Sequence, residues 1–453
     1  LGDVYKRQSL RYSVESKTKG FREGALPGES FTEAGRDMAE SEKAAKYLQD
    51  AGYDMLNCDN GTYDAWYWAH PPIYMPENCN LEDVAHIRKF VDIPVVCAGR
   101  MDPETAAAAI ADGKIDGAGF ARQFLADQEW VTKLMNDRED DIRPCILCHN
   151  GCFNMCHYKG VPNDQALSDS LHLARCAVNA ETMQWEKHKI VPTTSPKKVH
   201  IIGGGIGGME AARVLKLRGH EPVIHEQTDH LGGTFIAASA ESYKGKLRDL
   251  LTWYRKKMTD LGIEIHYNEK VESIDQFAGV PVIIATGAVP RVLKKVPGHE
   301  KMVEACEYLT GTPVGEKVAV IGGGMVGCET AEYLAARGCK VSVIEMMDKI
   351  AAGESTTILP TLLENYKTYG VEQYPSHKVK EFRMDAVVCE NKDGAEVTIP
   401  CDYIVLAMGA RSNEFDAAAL EAASIPVYSI GDAAGKAADI SYTHLRAHET
   451  RGN

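Results

Sequence analysis

At 453 residues, 44% of them hydrophobic, the chain has apolar material for about three globular domains on a prior of ~150 residues each. A net charge of −14 excludes sequence-independent nucleic-acid binding, which needs clustered lysine and arginine to displace counterions, and no apolar run is long enough to predict a membrane span. Thirteen cysteines are too sparse for a disulfide scaffold; their clustering fits metal ligation in a reducing compartment, and a cytoplasmic location is the expectation.

Both ends read as foreign. Leu1-Gly-Asp-Val-Tyr-Lys-Arg-Gln8 and Ser441-Tyr-Thr-His-Leu-Arg-Ala-His-Glu-Thr450 resemble translated sequencing-adapter strings, so 1–8 and 441–453 are expected to be artefact tails of an internal fragment. From Ser9 onward the apolar runs Leu10–Val14, Met55–Cys58, Ile93–Ala98 and Ile115–Phe120 alternate with helical stretches over Ala39–Ala51, Leu81–Val91, Pro103–Ala111 and Ala126–Asn136. That alternation predicts an α/β fold with a parallel sheet over 9–140, and four such units are too few for a complete (β/α)8 TIM barrel. Open strand edges would make such a half-barrel poorly behaved.

In parallel barrels phosphate commonly sits in the loops after the last two strands. If Ile93–Ala98 and Ile115–Phe120 fill those places, Gly99-Arg100 and Gly119-Phe120-Ala121-Arg122 offer backbone N–H groups beside guanidinium groups that can grip phosphate. Surface arginines at strand ends are the alternative. The segment Asn60–Pro72 follows the second strand and so lies on the active face. Its crowd of Tyr63, Trp66, Tyr67, Trp68 and His70 reads either as a pocket wall for a planar or steroid-like substrate or as a packed loop.

Next comes C-x2-C-x3-C, formed by Cys145, Cys148 and Cys152, followed 23 residues later by Cys176, in a segment spanning 141–196. Three close thiolates and one distant one suit the corners of a [4Fe–4S] cubane. A zinc site favours paired short spacings on both sides, which this lopsided string lacks. Cys156 is a fifth candidate thiol, and His149 and His157 are further possible ligands.

After the linker Val191–Pro196, Lys198-Val-His-Ile-Ile-Gly-Gly-Gly-Ile-Gly-Gly is echoed by Lys317-Val-Ala-Val-Ile-Gly-Gly-Gly-Met-Val-Gly. Gly203, Gly205 and Gly208 follow an apolar run, open a helix, and precede Glu226; Gly322, Gly324 and Gly327 do the same ahead of Glu345. Each set meets the whole context of a dinucleotide fingerprint: a tight turn, a close backbone approach to pyrophosphate, helix packing, and an acid for the ribose. Glu345 accepts from a free 2′-OH and repels a 2′-phosphate, and Met346 and Met347 follow it, so NADH is favoured over NADPH. Ile283–Ala288 is echoed by Ile404–Ala410, which predicts one dinucleotide domain, over 312–400, inserted into another, over 197–311 and 401–440.

Lys197–Ile440 resembles the two-dinucleotide-binding flavoprotein disulfide-reductase-like fold. The resemblance implies FAD on the first loop and NAD(P)H on the second, with Leu231-Gly232-Gly233 near the FAD pyrophosphate and Gly431-Asp432 at the ribityl chain. No C-x-x-C follows Gly208 at the disulfide-reductase position, so electrons must leave the FAD elsewhere. Leu10-Arg11-Tyr-Ser13, Val95–Arg100 and Gly119–Asp127 are similar to the FMN barrel of the Old Yellow Enzyme group. The whole chain resembles its iron–sulfur branch of 2,4-dienoyl-CoA reductases, clostridial 2-enoate reductases and bile-acid-inducible oxidoreductases. That implies Arg11 at the FMN N1/O2 edge, the FMN phosphate on Gly99, Arg100, Ala121 and Arg122, and Cys176, in Cys-Ala-Val-Asn, as the last cluster ligand.

The expected path is NADH to FAD to [4Fe–4S] to FMN to an alkene conjugated to a carbonyl. Tyr63, which stands where dienoyl-CoA reductases carry a histidine, is the first candidate proton donor and His70 the second. Steroid or bile-acid desaturation in reverse, an NADH diaphorase feeding a partner, and a non-catalytic redox sensor are the alternatives. Oligomeric state is left open.

Overall fold

The computed structural model describes residues 7–153, 175–277, 279–299, 302–309, 311, 314–352, 357–413, 415 and 426–434. Cys156, His157, residues 1–6, 435–440 and the expected tail 441–453 lie outside the described residues. The chain forms two compact units: Leu1–Phe124, Leu147–His149 and Ser355–Thr361 make the first, and Leu125–Ile146, Asn150–Glu354 and Leu362–Asn453 the second.

In the first unit the strands Ser9–Ser13, Met55–Asp59, Val95–Ala98 and Gly117–Gly119 lie side by side in that order, all parallel. Parallel neighbours require crossovers, and the helices Met38–Asp50, Leu81–Ile87 and Pro103–Ala111 supply them. Asp37 caps the first by accepting the Glu40 N–H; Asp102 caps the third through the Thr105 N–H, with Pro103 in the first turn, where it costs no hydrogen bond. Leu56, Cys58, Val95 and Cys97 pack with Val84, Ile87, Ala106 and Ala109 into one core.

The second unit holds two five-stranded parallel sheets. One runs Val427–Ser429, Val282–Ile284, Lys198–Ile202, Glu221–His225, Glu264–His266; the other runs Met302–Glu304, Tyr403–Leu406, Lys317–Ile321, Lys340–Ile344, Glu372–Tyr374. The internal repeat is thus four strands in one order carried twice, while the remaining edge strand differs: Val427–Ser429 comes last in the chain in the first sheet and Met302–Glu304 comes first in the second. The expected boundaries at 312 and 400 move outward, because Met302–Glu304 and Tyr403–Leu406 both pair within the second sheet. The chain enters and leaves this inserted domain through Ala288–Pro290 and Ala410–Ser412, which pair antiparallel. Sequence repetition found the strands, but only pairing shows which sheet takes each one.

The helix expected over Ala126–Asn136 is also broken, into Arg122–Ala126 and Trp130–Leu134. Asp127 accepts the Glu129 and Arg143 N–H groups and pairs with the Lys133 ammonium at 2.5 Å, turn chemistry that competes with helical bonding. No helix among the described residues is long and apolar enough to cross a membrane.

Candidate functional site

In the first unit Ala98 pairs with Gly119, so Gly99-Arg100 and Phe120-Ala121-Arg122 emerge together from the C-terminal ends of neighbouring strands. Gly99 has φ +128°, and a side chain there would collide with the amide of Asn80, whose Nδ2 donates to the Ala98 carbonyl at 2.9 Å. Arg100 also has positive φ, +51°. Its Nη1 donates to the carbonyls of Ile73 and Met75, so part of its fork holds the neighbouring loop. Arg122 approaches the ring of His149, Nη1 to Nε2 at 2.5 Å, and His149 Nδ1 meets Thr357 Oγ1 at 2.8 Å. Because a guanidinium only donates, His149 Nε2 is the acceptor and Nδ1 carries the proton. Both nitrogens of this candidate metal ligand are therefore engaged. Burial, then the Arg122 and His70 charges, holds His149 well below the ordinary imidazole range.

Arg11, on the first strand, forms an ion pair with Asp59 at the end of the second. Burial pushes Asp59 up to about 6, with Arg11 pulling it down. Tyr63 opens a short 3-10 turn capped by Thr62 and is 81% exposed, edge-on to Trp66 at 4.7 Å. The His70 ring lies 5.4 Å from Trp66 on its other side in sequence. The remaining aromatics, Tyr67 and Trp68, are buried against Ala65 and Met75, so the segment is a packed loop whose Tyr63 is presented outward. Sequence reading missed the buried polar group beneath it: Asn60 donates to Asn80 and Asp83 and accepts the Glu15 N–H, while Lys17 pairs with Glu15 and Asp83.

Within the second unit, one unremarked glycine closes the cysteine loop. The Arg175 N–H donates to the Gly151 carbonyl at 2.5 Å, and a Cβ on Gly151 would sit 2.8 Å from the Arg175 carbonyl oxygen and 3.1 Å from the Ala177 nitrogen. Cys152 is thereby drawn to Cys176. Arg143 Nη1 holds the Val178 carbonyl at 2.8 Å, and Asn179 Nδ2 and Thr182 Oγ1 hold that of Leu125. Burial lifts the Cys176 thiol to about 12, with Cys145 and Cys152 adding to the rise. The Cys176 thiol, so raised, ionises readily only beside a cation, which is the donor chemistry of a metal cluster. Cys148 belongs to the tripeptide Leu147–His149 of the first unit.

Each nucleotide loop has the expected division of labour among its glycines. Gly203 turns with φ +108°, and a Cβ on Gly208 would strike the Gly203 carbonyl, whereas Gly205, at the start of the Ile206–Leu217 helix, has nothing within 4 Å of its missing side chain. That open face beside helix N–H groups fits a pyrophosphate. Gly322, with φ +106°, and Gly327 repeat the crowded pair, and Gly324 caps the Met325–Ala335 helix as Gly205 does its own. The two acids are equivalent as well: Glu226 accepts the N–H groups of Gly204 and Thr228, and Glu345 those of Gly323 and Met347. The Gly232 N–H donates to the Gly204 carbonyl at 3.0 Å, and a Cβ on Gly233 would lie 3.3 Å from the Gly205 Cα, so Leu231–Gly233 does lie along the first loop. Gly431-Asp432 follows the strand Val427–Ser429 at the same end of the same sheet.

Residues 197–432, more than half of the chain, match the family described as pyridine nucleotide-disulphide oxidoreductase, and residues 26–141 match the NADH:flavin oxidoreductase / NADH oxidase family. Over 98% of its length the chain is 37% identical to the cinnamate reductase of Clostridium sporogenes. It belongs to the Old Yellow Enzyme-like iron–sulfur flavoenzymes. In that family it is also 36% identical, over 89% of its length, to the bilirubin reductase of Mediterraneibacter gnavus. The structure of a 2-naphthoyl-CoA reductase complex matches 93% of the chain with a TM-score of 0.81 at 26% identity. The chain spans 66%, 62% and 64% of these three proteins respectively.

One charged group of this flavoenzyme went unread in its sequence. Lys244 is buried with Nζ 2.6 Å from Glu329 and 3.0 Å from Glu241, and Glu329 stands two residues after Gly327 inside the second nucleotide helix. Burial lowers the ammonium, but the two carboxylates outweigh it and leave Lys244 above its ordinary value. Burial raises Glu329, with Lys244 opposing and Glu241 adding to the rise. A glutamate where the helix buries nearly every neighbour was the available signal; its partner, 85 residues away, had none.

Proposed function

We propose that this chain is part of an enzyme that uses NADH to reduce an alkene conjugated to a carbonyl, with electrons passing from NADH through FAD, a [4Fe–4S] cluster and FMN. The observation that carries the reading is the Gly151-closed cysteine loop standing in sequence between a phosphate-type barrel rim and two complete nucleotide loops. When bound, the flavins would exchange electron pairs with NADH and the alkene, and the cluster would relay single electrons between them.

The residues take the following parts. Gly203, Gly205 and Gly208 hold the FAD pyrophosphate, with Gly232 and Gly233 alongside, Glu226 at the ribose and Gly431-Asp432 at the ribityl chain. Gly322, Gly324, Gly327 and Glu345 do the same for NADH; Glu345 repels a 2′-phosphate and is followed by Met346 and Met347 rather than arginine. Cys145, Cys148, Cys152 and Cys176 ligate the cluster. Backbone N–H groups of Gly99, Arg100, Gly119 and Ala121, with the Arg122 guanidinium, hold the FMN phosphate, while Arg100 also fixes the loop at Ile73 and Met75. Arg11, oriented by Asp59, supplies positive charge at the flavin edge.

Tyr63 presents its phenol beside Trp66 and is the candidate donor of the proton to the α-carbon, with His70 the second choice. The substrates named in the relatives, cinnamate, bilirubin and 2-naphthoyl-CoA, carry planar conjugated systems, which favours a planar unsaturated acyl compound here. Anaerobic incubation with NADH and cinnamate, followed by mass spectrometry of the saturated acid, tests the reading. Dye reduction by NADH without alkene turnover would instead indicate a diaphorase, and failure to retain flavin or iron would indicate a non-catalytic protein.

A further inference from the structure

On the first dinucleotide sheet, His225 and His266 are direct cross-strand partners at the ends of neighbouring parallel strands. Glu269 lies between them: its Oε1 is 2.9 Å from His225 Nδ1 and its Oε2 is 2.9 Å from His266 Nδ1. Among the described residues these three form the one group of histidine, cysteine and acidic side chains whose ligand atoms all fall within 4.8 Å of one another. We propose that His225 Nδ1, His266 Nδ1 and the Glu269 carboxylate form a site for a divalent transition-metal ion of the zinc class.

The second observation is what holds the far side of each ring. His266 Nε2 is 2.8 Å from Glu264 Oε1, and because an ionised carboxylate only accepts, that nitrogen carries a proton and leaves Nδ1 to face Glu269. His225 Nε2 is 2.8 Å from His200 Nδ1, which can accept from it in the same way. Anchoring the outer N–H of each imidazole by an acceptor is how protein sites orient histidine toward a metal. Two imidazole nitrogens and one carboxylate oxygen, with a water completing a tetrahedron, form a ligand set that suits zinc, and ligand atoms about 3.4 Å apart follow from zinc bonds near 2.0–2.1 Å. The ion would take the place of the protons that otherwise sit between ring nitrogens and carboxylate. Hydrogen bonds donated to Glu264 and Glu269 raise His266, whereas burial lowers His225 and lowers His200 to about 4.

The position gives the site a consequence. The Glu226 N–H donates to the His266 carbonyl at 2.8 Å, and the Glu269 N–H donates to the Glu226 carbonyl at 2.9 Å. A metal on His225, His266 and Glu269 therefore staples the backbone on both sides of Glu226, whose carboxylate holds the first glycine loop through Gly204. It is a structural brace for the nucleotide corner, distinct from the cysteine loop.

The test is equilibrium dialysis of the full chain, cofactors loaded, against zinc-buffered solutions, with bound zinc measured by mass spectrometry. Half-exposed His266 and Glu269 allow His266→Ala and Glu269→Gln without disturbing the core, and Glu264→Gln removes only the outer anchor. The expected result is one tight zinc per native chain, lost in both ligand variants and weakened about tenfold in Glu264→Gln. Zinc uptake that is equal in native and Glu269→Gln protein, as binding at the cysteines alone would give, overturns the proposal. So does the absence of any zinc binding by the native chain.

Discussion

Replacing Lys244 by methionine removes the cation that, among the described residues, pairs with Glu241 and Glu329, at 3.0 and 2.6 Å, while keeping most of the length of the side chain. All three side chains are 10% exposed or less. At an effective dielectric constant near 20, each contact is worth on the order of 6 kcal/mol before desolvation. Most of that is offset by the cost of burying the charges, so the measurable quantity is the penalty of stranding two carboxylates, about 3–5 kcal/mol. Burial already raises Glu329, and loss of Lys244 raises it further. A raised carboxylate is stabilised in its protonated form, so the deficit is larger at pH 8 than at pH 5.5 and shrinks as falling pH protonates Glu329. Adding Glu329→Gln to Lys244→Met should recover more than about 1 kcal/mol, because the two sites are directly coupled. Urea unfolding of the loaded protein at pH 8 and pH 5.5, for the native chain, the single and the double variant, reads all of this. A Lys244→Met protein as stable as the native one at pH 8, or a deficit that does not change with pH, refutes the reasoning.

Gly151→Val should cost the protein its cluster iron while both flavins stay bound, because its side chain would force the Arg175–Ala177 backbone away from Cys152; iron and flavin assays on one sample check this. Gly205→Val should leave the fold intact, since the residue is extended with φ −70° and has open space around it, yet lower FAD affinity by about tenfold or more by filling the pyrophosphate face. FAD retention on dialysis measures the effect, and unchanged retention would move the cofactor away from this loop. For Asp59, burial raises the carboxyl from the ordinary 3.8 to about 6, so its contribution to stability is complete below the lower value and lost as pH rises through the higher one. Asp59→Asn should therefore gain roughly 3 kcal/mol relative to the native chain between pH 3.5 and 7, and parallel pH profiles of urea unfolding would exclude it.

The nucleotide loops were legible because each glycine answers a separate local demand: a positive φ at Gly203 and Gly322, and helix-on-strand contact at Gly208 and Gly327. The parallel sheet of the first unit was legible for a similar reason, since the strands, caps and apolar spacing lie within a few residues of one another. What escaped depends on partners far along the chain. Gly151 must be glycine because of residues 175–177, and Lys244 is tolerated in the interior because of Glu329. The division between the dinucleotide domains turned on pairing of Met302–Glu304 and Tyr403–Leu406, which an apolar run cannot specify. Asp127 broke an expected helix through bonds to Arg143 and Lys133 as well as to its near neighbour Glu129.

The most direct test of electron flow from NADH to the alkene is a paired anaerobic assay on native and Cys176→Ser protein, scoring NADH-dependent dye reduction and reduction of an unsaturated acid side by side. A cluster relay between the flavins predicts that the native chain forms one saturated product per NADH, and that Cys176→Ser keeps dye reduction but loses alkene reduction. Alkene reduction undiminished in Cys176→Ser, or dye reduction alone in the native protein, would contradict it.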